Sequence, residues 1–312
     1  MPITISGATL SGGVQIGASS SPTPSPSPGG VSNGYTTSST FIDKFPFASE
    51  GTASDIGDLT VGRGDGAGQS SSVSGYTSGG ESPATSNVID KFSFSVDGNA
   101  TDVGDLTSLR REMCGQSSSD NGYVSGNNDN GPTNLSINKF PFSSDSNATD
   151  VGDLTVGRYR TAGQNSSVSG YTSCGASTSP GQTNIIDKFP FASDSNATDV
   201  GDDITTRHWV VGASSSDNGY ISGGFTTGGG VRNIISKFPF ASDSNATDVG
   251  DLTAATTEGM AGQSSADNGY VSGGEAGSRV TTIQKFAFAS DGNASDVGNL
   301  TATTRPAAGQ QG

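Results

Sequence analysis

The residues best equipped for chemistry are few. One histidine, His208, stands beside the only tryptophan, Trp209. An imidazole titrates near neutral pH and can serve as a general acid, a general base or a metal ligand. A lone histidine cannot furnish a repeated metal site, and no nucleophile is marked out for it among serines that are abundant throughout. Paired carboxylates could hydrolyse a glycosidic bond. The 30 acidic residues, however, recur at the same places in successive repeats, as turn residues do. Asp243, Asn245 and Asp248 alternate as calcium ligands would, but the set lacks the closing glutamate of an EF-hand loop. An Asx-type turn accounts for it more simply. Cys114 and Cys174 occupy different positions in their repeats, which argues against a mutual disulfide and leaves two small buried thiols. Asn99, Asn147, Asn196 and Asn245 head N-x-T triplets, but no secretory signal precedes them. Arg63-Gly64-Asp65 is a three-residue coincidence in a glycine-rich loop. No catalytic residue, metal ligand or cofactor site is assigned, and the expectation is a protein that is not an enzyme.

Recognition is better represented. All nine arginines lie in segments that vary between repeats, together with His208, Trp209 and Tyr159, the one tyrosine outside the repeated framework. Tryptophan, tyrosine and arginine dominate binding hot spots, and loops on a rigid scaffold commonly carry recognition. The candidate partner-binding residues are Arg110, Arg111, Arg158, Tyr159, Arg160, His208 and Trp209. The competing structural role is that the single arginine recurring in each repeat braces neighbouring units through loop carbonyls. The segment Gly201–Thr205, "GDDIT", is read as carrying an inserted residue that pushes Trp209 outward or shifts register.

These segments hang on a repeat. "KFPFASDSNATDVGDLT" begins at Lys237, and related wording begins at Lys44, Lys91, Lys139, Lys188 and Lys285, with spacings of 47, 48, 49, 49 and 48 residues. These six lysines are the only ones in the chain. Twelve of the fourteen phenylalanines sit in the F-x-F unit, and a Gly-Tyr pair recurs with each copy. Each unit reads as four short strands separated by Gly/Asn/Asp/Ser turns, as in Ala261–Ser265, Gly269–Gly274, Asn233–Phe240 and Ala246–Thr253. Proline in the third strand must lie near its end, because it cannot donate to a ladder. No segment has a helical period, so the expected fold class is all-β. A period near 48 with four strands fits propeller blades. The pattern is entered at the second strand, Asn33–Tyr35, and left at the first, Ala307–Gly312. The last strand should therefore complete the blade that the first residues begin, giving six blades and no open sheet edge.

Composition agrees with a scaffold of this kind. Only 30% of the 312 residues are hydrophobic and 47 are glycine, which without a repeat would lean toward disorder. The net charge of −15 repels phosphate backbones, so nucleic-acid binding is not expected. No apolar run reaches the length of a membrane span, so membrane insertion is not expected either.

The repeat resembles the kelch type. "GYVSGG" is similar to its apolar strand ending in a glycine doublet, and Val151–Arg158, "VGDLTVGR", to its W-x-x-L…R segment, with valine in place of tryptophan. At Asn127 the second glycine of the doublet is lost. The resemblance covers about residues 33–312. The specific wording K-F-P-F-A-S-D-x-N-A-T-D-V-G-D-L is also similar to repeats in predicted structural proteins of marine tailed bacteriophages of the cyanophage type. That resemblance implies a virion component, made in the host cytoplasm. Residues 1–18 alternate enough to form a β arm, and residues 19–32 form a Ser/Pro-rich linker. Such an arm can dock by strand addition, anchoring residues 33–312 to another virion protein. The resulting expectation is a noncatalytic structural or adhesion protein whose variable loops meet a host-surface protein, a glycan or a second virion protein. An intracellular kelch-type adaptor and a carbohydrate-active enzyme are the alternatives.

Overall fold

A computed structural model describes residues 32–81, 83–128, 135–177, 181–303 and 306–312. The docking arm 1–18, nearly all of the linker 19–32, and Arg305 fall outside the described residues. Everything described is strand, turn or irregular; there is no helix.

The chain forms a six-bladed β-propeller. Blade 2 contains β3 (Ala67–Ser70), β4 (Ser74–Glu81), β5 (Thr85–Ser93) and β6 (Thr101–Arg110) in sequential antiparallel order. Blade 3 repeats this with β7 (Cys114–Ser117), β8 (Asn121–Ser125), β9 (Ser136–Pro141) and β10 (Thr149–Asp153). Blade 4 contains β11 (Ala162–Asn165), β12 (Ser169–Ala176), β13 (Gln182–Pro190) and β14 (Thr198–Asp202). Blade 5 contains β15 (Val211–Ser214), β16 (Asn218–Ser222), β19 (Ile234–Pro239) and β20 (Thr247–Asp251). Its second and third blade strands are joined through a small ribbon of β17 (Phe225–Thr226) and β18 (Gly230–Val231). Blade 6 contains β21 (Thr257–Ser264), β22 (Asn268–Glu275), β23 (Thr282–Ala287) and β24 (Ser295–Asn299).

Blade 1 is the closure. Its β1 (Asn33–Pro46) doubles back at Ser39, which has φ +52°, so that the amide of Phe47 donates to the Ser32 carbonyl. β2 (Ser54–Arg63) pairs on the outer side of β1, and β25 (Pro306–Gln311) on its inner side, from Gly34 opposite Gln311 to Ser38 opposite Pro306. The ring is thus shut by strand exchange, as the split first unit suggests. Proline closes the third blade strand at Pro46, Pro141, Pro190 and Pro239.

The repeated wording is explained by the blade interfaces. Each framework tyrosine stacks on the second phenylalanine of the next blade's F-x-F unit and tilts against the first. Tyr76 lies 4.9 Å from Phe142 and 5.5 Å from Phe140. The same triad recurs around the ring, ending with Tyr270 on Phe45 and Phe47. Aromatic pairs of this kind contribute ~0.5–1.5 kcal/mol each beyond the area they bury. Every lysine reaches the acidic turn of the following blade: Lys44–Asp97, Lys91–Asp145, Lys139–Asp194, Lys188–Asp243, Lys237–Asp291 and, across the closure, Lys285–Glu50. These pairs are half exposed, so each is worth at most about 1 kcal/mol; their value is in orienting one blade on the next. The turn asparagines do the same. Asn99, Asn147, Asn196, Asn245 and Asn293 each accept from the amide of an aspartate in the preceding blade. The calcium-like trio is thereby divided among three tasks. Asp243 pairs with Lys188, Asn245 braces Asp202, and Asp248 closes an Asx turn on the Gly250 amide.

The axis is packed by backbone. The inner strands β3, β7, β11, β15, β21 and β25 contact one another cyclically. At Gly68, Gly115, Gly163, Gly212, Gly262 and Gly309 an added Cβ would fall 2.0–2.2 Å from the carbonyl oxygen of the equivalent glycine next door. Only glycine permits that approach. The following glutamines, Gln69, Gln116, Gln164, Gln263 and Gln310, donate to a tyrosine carbonyl of the neighbouring blade. Blade 5 has Ala213 instead, and the buried hydroxyl of Ser222, whose equivalents bond these glutamines, has no partner among the described residues.

Candidate partner-binding site

Antiparallel blades place two sets of turns on opposite faces of the disc. One face carries the repeated acidic turns and the lysine pairs. The other carries the variable loops, knitted together by short backbone bridges between Gly64 and Glu81, Tyr159 and Ala176, and His208 and Phe225.

The recurring arginines do not reach that surface. Arg63, Arg110, Arg158 and Arg207 are the largest fully buried side chains among the described residues. Each enters the next blade: Arg63 meets Asp90 at 2.9 Å and Arg158 meets Asp187 at 3.1 Å. Arg110 bonds the Ser136 and Gly126 carbonyls. Burial pushes the Arg63 guanidinium down from its ordinary value, and Asp90 opposes that shift. Bracing therefore describes these positions, and it withdraws Arg110 and Arg158 from the exposed set expected from the sequence. It also disposes of the Arg63-Gly64-Asp65 triplet, whose arginine is inside.

The inserted residue expected in Gly201–Thr205 is absent. Asp203 instead occupies the place of Leu59, Leu106, Leu154, Leu252 and Leu300, with Gly201 paired to Ile186 as Gly250 is to Ile235. Asp203 is buried and holds Arg207 through Nε at 2.7 Å and Nη2 at 3.3 Å. The Cys174 thiol donates to the same carboxylate at 3.3 Å, and burial raises its pKa well above the ordinary thiol value. Both cysteines are free and buried. The extra residue lies after Leu252, where 12 positions rather than 11 separate the strand-four glycine from the inner-strand glycine.

With that offset removed, the residue three places before each inner-strand glycine comes to the axis in every blade: Asp65, Glu112, Arg160, Trp209, Gly259 and Pro306. The first five are left-handed, with φ between +57° and +62°. Their backbones form a rosette. The Asp65 amide donates to the Pro306 carbonyl at 3.5 Å, Glu112 to Asp65 at 2.8 Å, Arg160 to Glu112 at 2.6 Å and Trp209 to Arg160 at 3.0 Å. A left-handed non-glycine residue costs roughly 1–2 kcal/mol, and such outliers cluster at functional sites.

The rosette brings most of the remaining candidates together. Arg160 is held by Glu112 through Nε at 2.9 Å and Nη2 at 3.3 Å. Its guanidinium carbon lies 4.2 Å from the Trp209 ring centroid and 5.1 Å from that of Tyr159. Glu112 also accepts from the Asn128 amide at 2.6 Å. Arg111 pairs with Glu81 on the same face. His208 lies edge-on to Phe225 at 5.6 Å and shares a hydrogen bond with Gln182 through Nδ1. Asp65, Glu112 and Gln182 were not legible as site residues, because glutamate and aspartate are commonplace in this chain. The signal that finds Asp65 and Glu112 is their constant distance from the inner-strand glycine; Gln182 carries no such mark.

Burial, and secondarily the Arg160 charge, pushes His208 down to about 4. With one histidine in the chain, a single imidazole resonance reports it. Its NMR titration midpoint should lie near 4, well below the ordinary value of about 6.5. A folded-state value below the unfolded one means that the unfolded chain takes up its proton first. His208 therefore supports the fold above pH ~6.5, and that support is lost progressively as pH falls toward 4. A midpoint of 6 or above would show that His208 is not buried in the folded chain.

Compared with known proteins, the chain matches no family model and no curated protein.

Proposed function

We propose that the protein is a noncatalytic attachment component of a tailed-phage particle, a kelch-like propeller that is anchored through residues 1–18 and presents its variable face to a host surface or to a second virion protein. The observation that carries this reading is the polarity of the disc. The chain enters the ring at Ser32, whose amide donates to Gly312 at 2.9 Å, on the face with the repeated acidic turns. The costly left-handed residues and the Arg160–Trp209–Tyr159 cluster stand on the opposite face. A tether on one side and a rigid, non-repeating surface on the other suit attachment. The axial geometry sets the left-handed backbone there, so recognition is the reading for placing large polar and aromatic side chains where glycine would be unstrained.

The reading predicts that antibody against the purified ring decorates intact particles and blocks their adsorption. Particles assembled with Tyr159→Ala and Trp209→Ala should adsorb at least tenfold more weakly, since loss of a hot spot costs about 2 kcal/mol or more, while circular dichroism and the melting midpoint of the ring stay unchanged. Unlabelled particles would reject the virion assignment. Unchanged adsorption would reject the choice of face. A chain lacking residues 1–32 should fail to incorporate into particles, and incorporation at the normal level would reject the anchor.

A further inference from the structure

The rosette does not close on itself. Between Trp209 and Pro306 the ring position is Gly259, which has no side chain, in the one connection lengthened by a residue. Proline, for its part, has no amide to donate. The result is a shallow depression at the axis of the variable face, about 70 Å³ and open to solvent. Trp209, Met260 and Pro306 give it apolar walls, and Asp65, Glu112 and Arg160 give it polar ones.

We infer that this depression seats a neutral pyranose sugar, stacked on Trp209 and hydrogen-bonded by Arg160, Glu112 and Asp65; the inference rests on the attachment reading above. Three observations select that chemistry. First, the strongest charges are already neutralised in place, because Arg160 and Glu112 are joined by two hydrogen bonds. An anionic ligand would meet the Glu112 and Asp65 carboxylates, which are 8% and 7% exposed. A cationic ligand would compete with Arg160 for Glu112. Second, the paired groups keep spare hydrogen-bonding capacity. Both Arg160 bonds to Glu112 leave Nη1 with no further partner among the described residues, and a carboxylate offers about four lone-pair sites. Hydroxyls donate and accept, so a sugar can satisfy both without separating them. Third, the walls combine a flat aromatic with fixed polar groups, which matches a ring having C–H faces and hydroxyl edges.

Trp209 is the only tryptophan, so its emission reads the site directly. The full chain should be titrated with the methyl glycosides of glucose, galactose, mannose and N-acetylglucosamine, and in parallel with sodium glucuronate and N-acetyl-lysine amide. At least one neutral glycoside should change Trp209 emission saturably, with Kd on the order of 1 mM. Saturation-transfer NMR should show the same binding, lost in Trp209→Ala and weakened at least tenfold in Asp65→Asn, a change that tolerates the left-handed backbone. The inference is overturned if no glycoside gives either signal, if binding survives Trp209→Ala, or if a charged probe binds more tightly than every neutral one. Failure of the glycosides while adsorption still depends on Tyr159 and Trp209 would mean a protein partner for the face, and only the sugar seat would fall. Glycoside binding with adsorption indifferent to Trp209 would leave the sugar seat standing and remove the attachment reading.

Discussion

A chain ending at Thr303 should fail to form a stable monomeric ring. The deletion removes β25, and with it the pairing along the inner side of β1, the Gln310 bonds to the Tyr76 carbonyl and Thr77 hydroxyl, and the Gln311 amide bond to Ser70. It also takes Gly309 out of the axial contact between Gly68 and Gly262. A domain has only ~5–15 kcal/mol of net stability, and a missing inner strand leaves two blade faces uncovered. The bared edge of β1 is moreover a template for pairing between chains. The expected result is loss of the cooperative transition, with aggregation visible by light scattering. A synthetic peptide spanning residues 304–312 should restore the monomer when supplied in trans. A truncated chain that melts at the normal midpoint would show that closure contributes little.

Asp203→Leu should be the most damaging single substitution in a blade interior, although leucine is what the other five blades have there. It strands Arg207, whose side chain is fully buried, and breaking such a pair from one side costs about 3–5 kcal/mol. The reason lies in the next blade. Arg63 and Arg158 find carboxylates at Asp90 and Asp187 on the third strand, but the matching residue opposite Arg207 is Ser236. Asp203 supplies the missing charge from its own blade. Cys174 belongs to the same exchange, because it stands where Gly79 and Gly273 face Leu106 and Leu300 at 3.2 Å and 3.4 Å from an ideal Cβ. Adding Ser236→Asp should recover most of the loss, and adding Cys174→Gly should relieve the crowding that remains. Denaturant unfolding should give a coupling energy of about 2 kcal/mol or more between positions 203 and 236, near the upper end for contacting residues. Additive effects would mean that Asp203 does not stand in for the absent carboxylate.

The scaffold was legible because each blade solves the same packing problem with the same residues. The lysines, the F-x-F units and the Gly-Tyr pairs announce themselves by period, and the split first unit announces the closure. The recurring arginine carried the same periodic signal, and its burial follows once it is counted as framework with the lysines. The rosette was not legible. A left-handed Trp209 or Arg160 is imposed by the axial geometry, and neither residue type signals it. Within Gly201–Thr205 a leucine is replaced by Asp203, which in sequence looks like an insertion. Counting from glycine to glycine places the added residue after Leu252 instead. Glu112, the partner that fixes Arg160, has no sequence mark beyond its register.

The doubling back of β1 also decides how the molecule bears load. A pull on residue 32, directed away from the acidic face, runs along a strand flanked on one side by β25 and on the other by the second half of β1. The hydrogen bonds from Gly34 to Ser38 then resist in shear, all at once. The same force applied between residues 32 and 312 would open them singly, as a zipper opens. The ring is therefore mechanically strong along the line from residue 32 to the variable face and weak at its own seam.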